Sequence, residues 1–361
     1  MNPYHSHDLQ VPVYTPDGYV ITSSNGDTIC LSHDGNYAGM EFAEVDFSFL
    51  TIRADFTKAT FKHCLFNLTD MSGSSFSEAS FHDCIMNSVA FMWTNSFKLK
   101  MTETSVSDIR FYSSNLQQAH IEANFTEAKF THVNLSGAHF INCSLNKSEF
   151  TDGTCTDMTI SHTALDAVEF KNCDMRWFQV VDSTADFWRF NHCNLSGSTW
   201  RSVVSTVGYW KFHHVNLSAA RFSMCHAKNT KWSHTTFFGV VMERCNWFKS
   251  SLDLCVILNS TFTHVGFNET NFTNSGLQDV QALGLRLRYA KFNNCEISDT
   301  TIADSFWEFC EFRLISAENL TITNPAYSEG TQWHAGFVPT SSPNPTPTDS
   351  SEEDEEEEET Q

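Results

Sequence analysis

Twelve cysteines and sixteen histidines are the side chains with the most chemistry to offer in this chain. Thiolates and imidazoles hold zinc when they come in close pairs such as C-x-x-C. No C-x-x-C occurs. His213-His214 is the only adjacent histidine pair. Neighbours along a strand point to opposite faces, so this pair predicts no joint ligand set. G-x-G-x-x-G, P-loop, H-E-x-x-H and G-x-S-x-G motifs are also missing, and with them the phosphate cradle, zinc helix and nucleophile elbow they encode. The expectation is a chain with no catalytic residue, no metal ligand and no cofactor.

The cysteines nevertheless have an order. Cys64, Cys84, Cys143, Cys173, Cys193, Cys225, Cys245, Cys255, Cys295 and Cys310 each lie two residues before an apolar residue, large in every case but Ala227, and those apolar residues recur every fifth position. Three frames carry the repeat, with centres from Phe56 to Ile121, from Phe125 to Ser205 and from Phe212 to Ile322. Of 54 centres, 52 are apolar, where a composition of 41% apolar would give about 22 by chance. Two residues before the centre, 45 of 54 positions are Ala, Cys, Ser, Thr, Val or Gly. Cysteine at that phase reads as a small buried residue, reduced and structural. Pairs four repeats apart, such as Cys64 and Cys84, would stack with parallel side chains, a poor geometry for a disulfide.

A period of five fits neither a helix nor a flat strand. It fits a chain that turns a corner with every repeat, with one large and one small residue facing inward per side. Four sides, and so four repeats, close one coil. Coils stacked at about 4.8 Å would make a rod of roughly 65 Å from 13–14 coils. The core predicted this way includes Phe56, Phe61, Phe66, Phe76, Phe81, Phe125, Phe130, Phe140, Phe150, Phe170, Phe262, Phe267, Phe272 and Phe292.

The segments Ala54-Asp55-Phe56, Ala123-Asn124-Phe125 and Val215-Asn216-Leu217 resemble the A-(D/N)-L-x-x unit of the pentapeptide-repeat family. The resemblance covers about 280 of the 361 residues. It implies an all-β, right-handed quadrilateral β-helix. The departure is heavy use of Phe and Trp at centres. Asn-x-Ser/Thr triplets at Asn124, Asn134, Asn194, Asn216 and Asn271 fall just before centres, where the repeat itself favours Asn.

The frame is one residue short between Ile121 and Phe125 and two residues long between Ser205 and Phe212. The second break predicts a bulge at residues 206–209. Phe178, Trp188 and Trp210 fall at positions that should be small. Overpacking forces backbone outward, so irregular coils are expected from 177 to 210.

Four segments follow from the pattern. Residues 1–39 lack the repeat and read as an N-terminal cap or a secretion-signal region, with strands near 11–14, 19–22 and 28–32. Residues 40–324 are the repeat array, 325–338 a C-terminal cap and 339–361 a disordered acidic tail. The run Asn25, Gly26, Asp27, Thr28, Ile29, Cys30, Leu31, Ser32 resembles a segment preceding the repeats in secreted pentapeptide-repeat effectors of enteric bacteria, the PipB and EspX type. That resemblance implies synthesis in a bacterial cytoplasm, type III secretion into a host cell and a host protein as partner.

The net charge is −21, of which nine acidic residues lie in 340–361. An acidic rod disfavours non-specific contact with nucleic acid, so no direct nucleic-acid binding is expected. No apolar run approaches the ~20 residues of a membrane span. Outward aromatics mark candidate partner contacts: Trp93, Trp177 and Phe187 fall two residues after a centre, Phe238 and Phe248 one after. The reading is a non-enzymatic binding scaffold, a secreted effector acting on host proteins or membranes. Two other readings stay open: a DNA-mimicking protein that binds a type II topoisomerase, and a structural or secretion-assembly adaptor.

Overall fold

The computed structural model describes residues 12–16, 18–23, 26, 28–328 and 330–334. Among them there is no helix, and hence none long and apolar enough to cross a membrane. Strands, most of them very short, stack in parallel on strands four repeats further along the chain. The result is a four-sided β-solenoid of about 15 turns.

The pentapeptide builds one side. Its centre points inward. The residue two positions later sits in the left-handed region, as at Lys58 (φ 59°), Glu78 (φ 58°) and Lys98 (φ 54°). Such a conformation costs a non-glycine residue of order 1 kcal/mol or more. It recurs at nearly every corner because it turns the chain sharply while keeping the corner amide in the ladder. Lys58 N–H donates to Ser77 O at 2.8 Å and Glu78 N–H to Phe97 O at 2.7 Å, each one coil on. Asn or Asp before the centre braces many corners, since its side-chain oxygen accepts the amide two residues ahead. Asp55 does so for Thr57 at 2.9 Å, and Asn134 for Ser136 at 3.0 Å.

The small inward position is small because the neighbouring coil lies over it. Its hydroxyl or thiol reaches back to a carbonyl of that coil: Ser114 Oγ to Phe91 O at 2.8 Å, Cys173 Sγ to Phe150 O at 3.4 Å. Many buried Ser and Thr hydroxyls are thereby satisfied inside the rod, as buried polar groups usually are, while Ser148 Oγ and Thr230 Oγ1 find no such partner among the described residues.

The centres stack into columns. None of the fourteen phenylalanines named above is more than 4% exposed. Phe111, Phe130, Phe150, Phe170, Phe190 and Phe212 form one continuous column with centroids 4.5–5.3 Å apart and nearly parallel rings. Offset ring stacking of this kind adds about 0.5–1.5 kcal/mol per pair beyond area burial.

Strands β1 (Val13–Thr15), β2 (Gly18–Thr22) and β3 (Thr28–Leu31) form an antiparallel sheet before the first coil. Ile21 and Leu31 join the core from it. Tyr37 ties sheet to rod: its hydroxyl donates to Cys30 O at 3.2 Å and its ring stacks on Phe56. At the other end Ala326–Tyr327 pairs with Phe306–Trp307, and Trp333 stacks on Phe312 at 5.1 Å.

The 13–14 coils expected from the periodicity are too few. The array is entered earlier, in a shifted frame: Phe42 pairs with Phe61, one position short of four full repeats. It also runs on to Tyr327.

Candidate functional site

Coils containing residues 177–249 differ from the rest inside and out. Their interior holds five tryptophans, Trp188, Trp200, Trp210, Trp232 and Trp247, all buried and linked edge to face or tilted at 4.9–6.3 Å. The expected overpacking does not displace the coils. Gln179–Thr184 pairs with Thr199–Val204 at the regular spacing of four repeats. Volume is exchanged instead: the centres nearby are Ala185, Ser205 and Ala227, and the rings fill the space they leave. Trp210 Nε1–H donates to Ala185 O at 2.5 Å. The irregularity is confined to the two added residues.

Those residues form an outward excursion at Thr206, Val207 and Gly208. Asp186, in the preceding coil, organises it. Its carboxylate accepts from Ser205 Oγ, from Thr206 Oγ1 at 2.6 Å, and from the Val207 and Gly208 amides at 2.9 Å each. Partial burial works to raise the Asp186 pKa, but these hydrogen bonds outweigh it and hold the group below the ordinary carboxylate value. Gly208 (φ 94°) is required: a Cβ there would stand 2.0 Å from Lys228 O.

The excursion exposes Val204, Val207 and Tyr209 beside Phe187, whose ring stacks on Tyr209 at 5.5 Å and 2°. On its other flank lies a cleft of about 450 Å³ lined by Ser205, Thr206, His226, Ala227, Lys228, Asn246 and Phe248. Apolar side chains beside a concave, partly polar groove have the composition of a protein contact.

The five aromatics singled out in the sequence do not form one patch. Phe187 belongs to the excursion and Phe248 to the cleft. Phe248 is half-buried, with Lys249 Nζ 4.8 Å from its ring centroid. Trp93 is exposed on another side, edge-on to Tyr112. Trp177 lies over Gly197, and Phe238 is exposed on the same side further along. Tyr209 and Val207 were missed, because in the sequence they look like part of a frame slip. Of the secretion-signal-like run, Thr28, Ile29, Cys30 and Leu31 form β3, Gly26 is a turn (φ 89°), Ser32 donates its amide to the Tyr37 hydroxyl, and Asn25 lies outside the described residues.

The histidine expectation is overturned. His213 and His214 do not point apart. His214 is a corner residue (φ 51°), so both rings face outward with centroids 4.2 Å apart. His192 and His234 occupy the same corner one coil either side, at 4.8 Å and 4.5 Å from His214. The cysteines form no disulfide among themselves. Burial pushes the Cys143 thiol up to about 11 and those of Cys255 and Cys310 to about 12. Protonated thiols of this kind are poor nucleophiles.

Two family models match the chain: pentapeptide repeats over residues 52–89, and the pentapeptide repeat region over residues 123–200. No curated protein matches. Among solved structures, HetL from the cyanobacterium Nostoc sp. strain PCC 7120, a pentapeptide repeat protein involved in heterocyst differentiation regulation, is 12% identical over 61% of this chain and 87% of its own, with TM-score 0.31. Full-length QnrB1, a plasmid-mediated fluoroquinolone resistance protein, is 16% identical over 53% and 85%, with TM-score 0.30. The tailspike receptor binding domain of siphovirus 9NA is 8% identical over 86% and 75%, with TM-score 0.32.

Proposed function

We propose, from the premise that this chain is a pentapeptide-repeat protein, that it is a non-enzymatic scaffold that binds a protein through the excursion at 206–209. The observation that carries this reading is a two-residue insertion fastened by four hydrogen bonds to Asp186 that sets exposed Val207 and Tyr209 next to exposed Phe187 and Val204 and beside a cleft.

The finer reading is a secreted effector that meets its partner inside a host cell. It is supported by the run 25–32, which resembles the segment before the repeats in effectors of that type. Two experiments test the levels separately. A photo-crosslinking residue at 209 should give a discrete adduct with a partner, lost on Val207→Asp and absent from the equivalent corner three coils earlier at Lys147. Identical adducts from both positions would sink the scaffold site. The full chain with a C-terminal reporter should reach host cells from a secreting strain only. Its failure to do so would remove the effector reading and leave the scaffold reading to the first test.

A further inference from the structure

We infer that His213, His214 and His234, with His192 alongside, form a surface site for a first-row divalent cation of the Ni²⁺, Cu²⁺ or Zn²⁺ class. One ligand nitrogen from each of His213, His214 and His234 can be chosen so that all lie within 4.8 Å of one another. A tetrahedral ion with bonds of about 2.0–2.1 Å needs them roughly 3.4 Å apart. Rotation of solvent-facing rings closes that gap without moving the backbone. Two rings come from adjacent corners of one column, His214 and His234, and the third from the strand residue just before a corner, so the set spans two coils.

The hydrogen bonds around the rings suit metal binding. His213 Nδ1 is engaged by Ser233 Oγ at 2.7 Å, which leaves Nε2 to face a ligand. His192 Nδ1–H donates to Asn191 Oδ1 at 2.8 Å, which likewise leaves the lone pair on Nε2. Fixing the second nitrogen in this way orients an imidazole and raises its basicity. An all-imidazole set selects nickel, copper or zinc over magnesium and calcium, which take oxygen ligands. Arg189, Lys211 and Lys231 form a cationic column on the same side. Their repulsion weakens the site and points to micromolar rather than tighter affinity.

The substitutions that test the site are already present elsewhere in the rod. Asn172, Asn274 and Asn294 occupy the same corner in other coils, with φ near 50°. His214→Asn and His234→Asn should therefore fold. The full chain without an affinity tag, titrated with NiCl₂ and with CoCl₂, should bind one ion saturably, and its thermal midpoint should rise with nickel. The double variant should bind at least about tenfold more weakly, while His264→Asn on another side leaves binding unchanged. The cobalt spectrum should lack a thiolate charge-transfer band. No saturable binding, equal affinity in the double variant, or a thiolate band would each overturn the site.

Discussion

Two of the corners where the rod changes length are answered differently. Between Ile121 and Phe125 it is one residue short. The strand Lys100–Ser107 pairs with His120–Thr126 through a register shift between Thr102 and Thr104, and the surface left there is a cleft of about 280 Å³ lined by Glu103, Thr104, Ser105, Glu122, Ala123, Asn124 and Asn142. Between Ser205 and Phe212 it is two residues long. There the extra chain is tied down by a carboxylate and presents apolar side chains beside a larger cleft. Both irregularities leave the interior columns intact, since Met101 still pairs with Ile121 and Phe190 with Phe212. A missing residue is absorbed by the ladder. An added one has to go outward, where it becomes surface that its neighbours do not have.

If the interior really is continuous past both corners, truncating one column near each should cost the same. Phe140→Ala and Trp200→Ala share a column and should each destabilise by about 3–5 kcal/mol. Urea unfolding followed by hydrogen exchange reads this, and a much cheaper Trp200→Ala would mean that the tryptophan coils are loosely packed. Gly208→Ala should cost about 2–3 kcal/mol, because strain at positive φ adds to collision with Lys228 O. Gly137→Ala, at an ordinary corner (φ 66°) where Gln118 Cγ is 3.6 Å from the new Cβ, should cost about 1 kcal/mol. Equal costs would deny the excursion its special geometry.

Asp186→Asn should cost about 1–2 kcal/mol at neutral pH by weakening charge-assisted hydrogen bonds. The sign with pH follows from the lowered native pKa. The contribution of Asp186 is fully present above the ordinary carboxylate pKa near 4, and it is lost as pH falls through the lower native value. Wild type minus Asp186→Asn should therefore shrink below about pH 4, as thermal midpoints across pH would record. The smallest effect expected is a coupling. Ala185→Leu should overpack by about 1–3 kcal/mol, and Trp210→Leu in the same chain should relieve about 1 kcal/mol of that. Strict additivity would reject the exchange of volume between centre and ring.

Most of the interior was legible in the sequence because inward position depends only on place within the pentapeptide. Phe56, Phe150 and Phe292 could each be assigned to the core without knowing what lay above them. The candidate site was legible only in part. Phe187 and Phe248 stood out as aromatics off the centre, but Tyr209 and Val207 did not, since the frame slip hid which of the added residues would hold the corner.

The sequence alone determined the period, the large and small inward residues, the all-β class and two of the places where the chain had to break step. These are local quantities, set by one repeat and its corner. Only the tertiary structure decided which outward residues are neighbours. That depends on register summed over many coils, and the coils are not all equal. Phe150 pairs with Phe170 across four full repeats, whereas the step from Phe42 to Phe61 is one position shorter and that from Phe190 to Phe212 two positions longer. It depends also on corner residues at positive φ, which place His213 and His214 on one surface rather than two. Trp210 beside Ala185, Asp186 against an excursion in the next coil, and four histidines in one cluster all follow from that accumulated stacking.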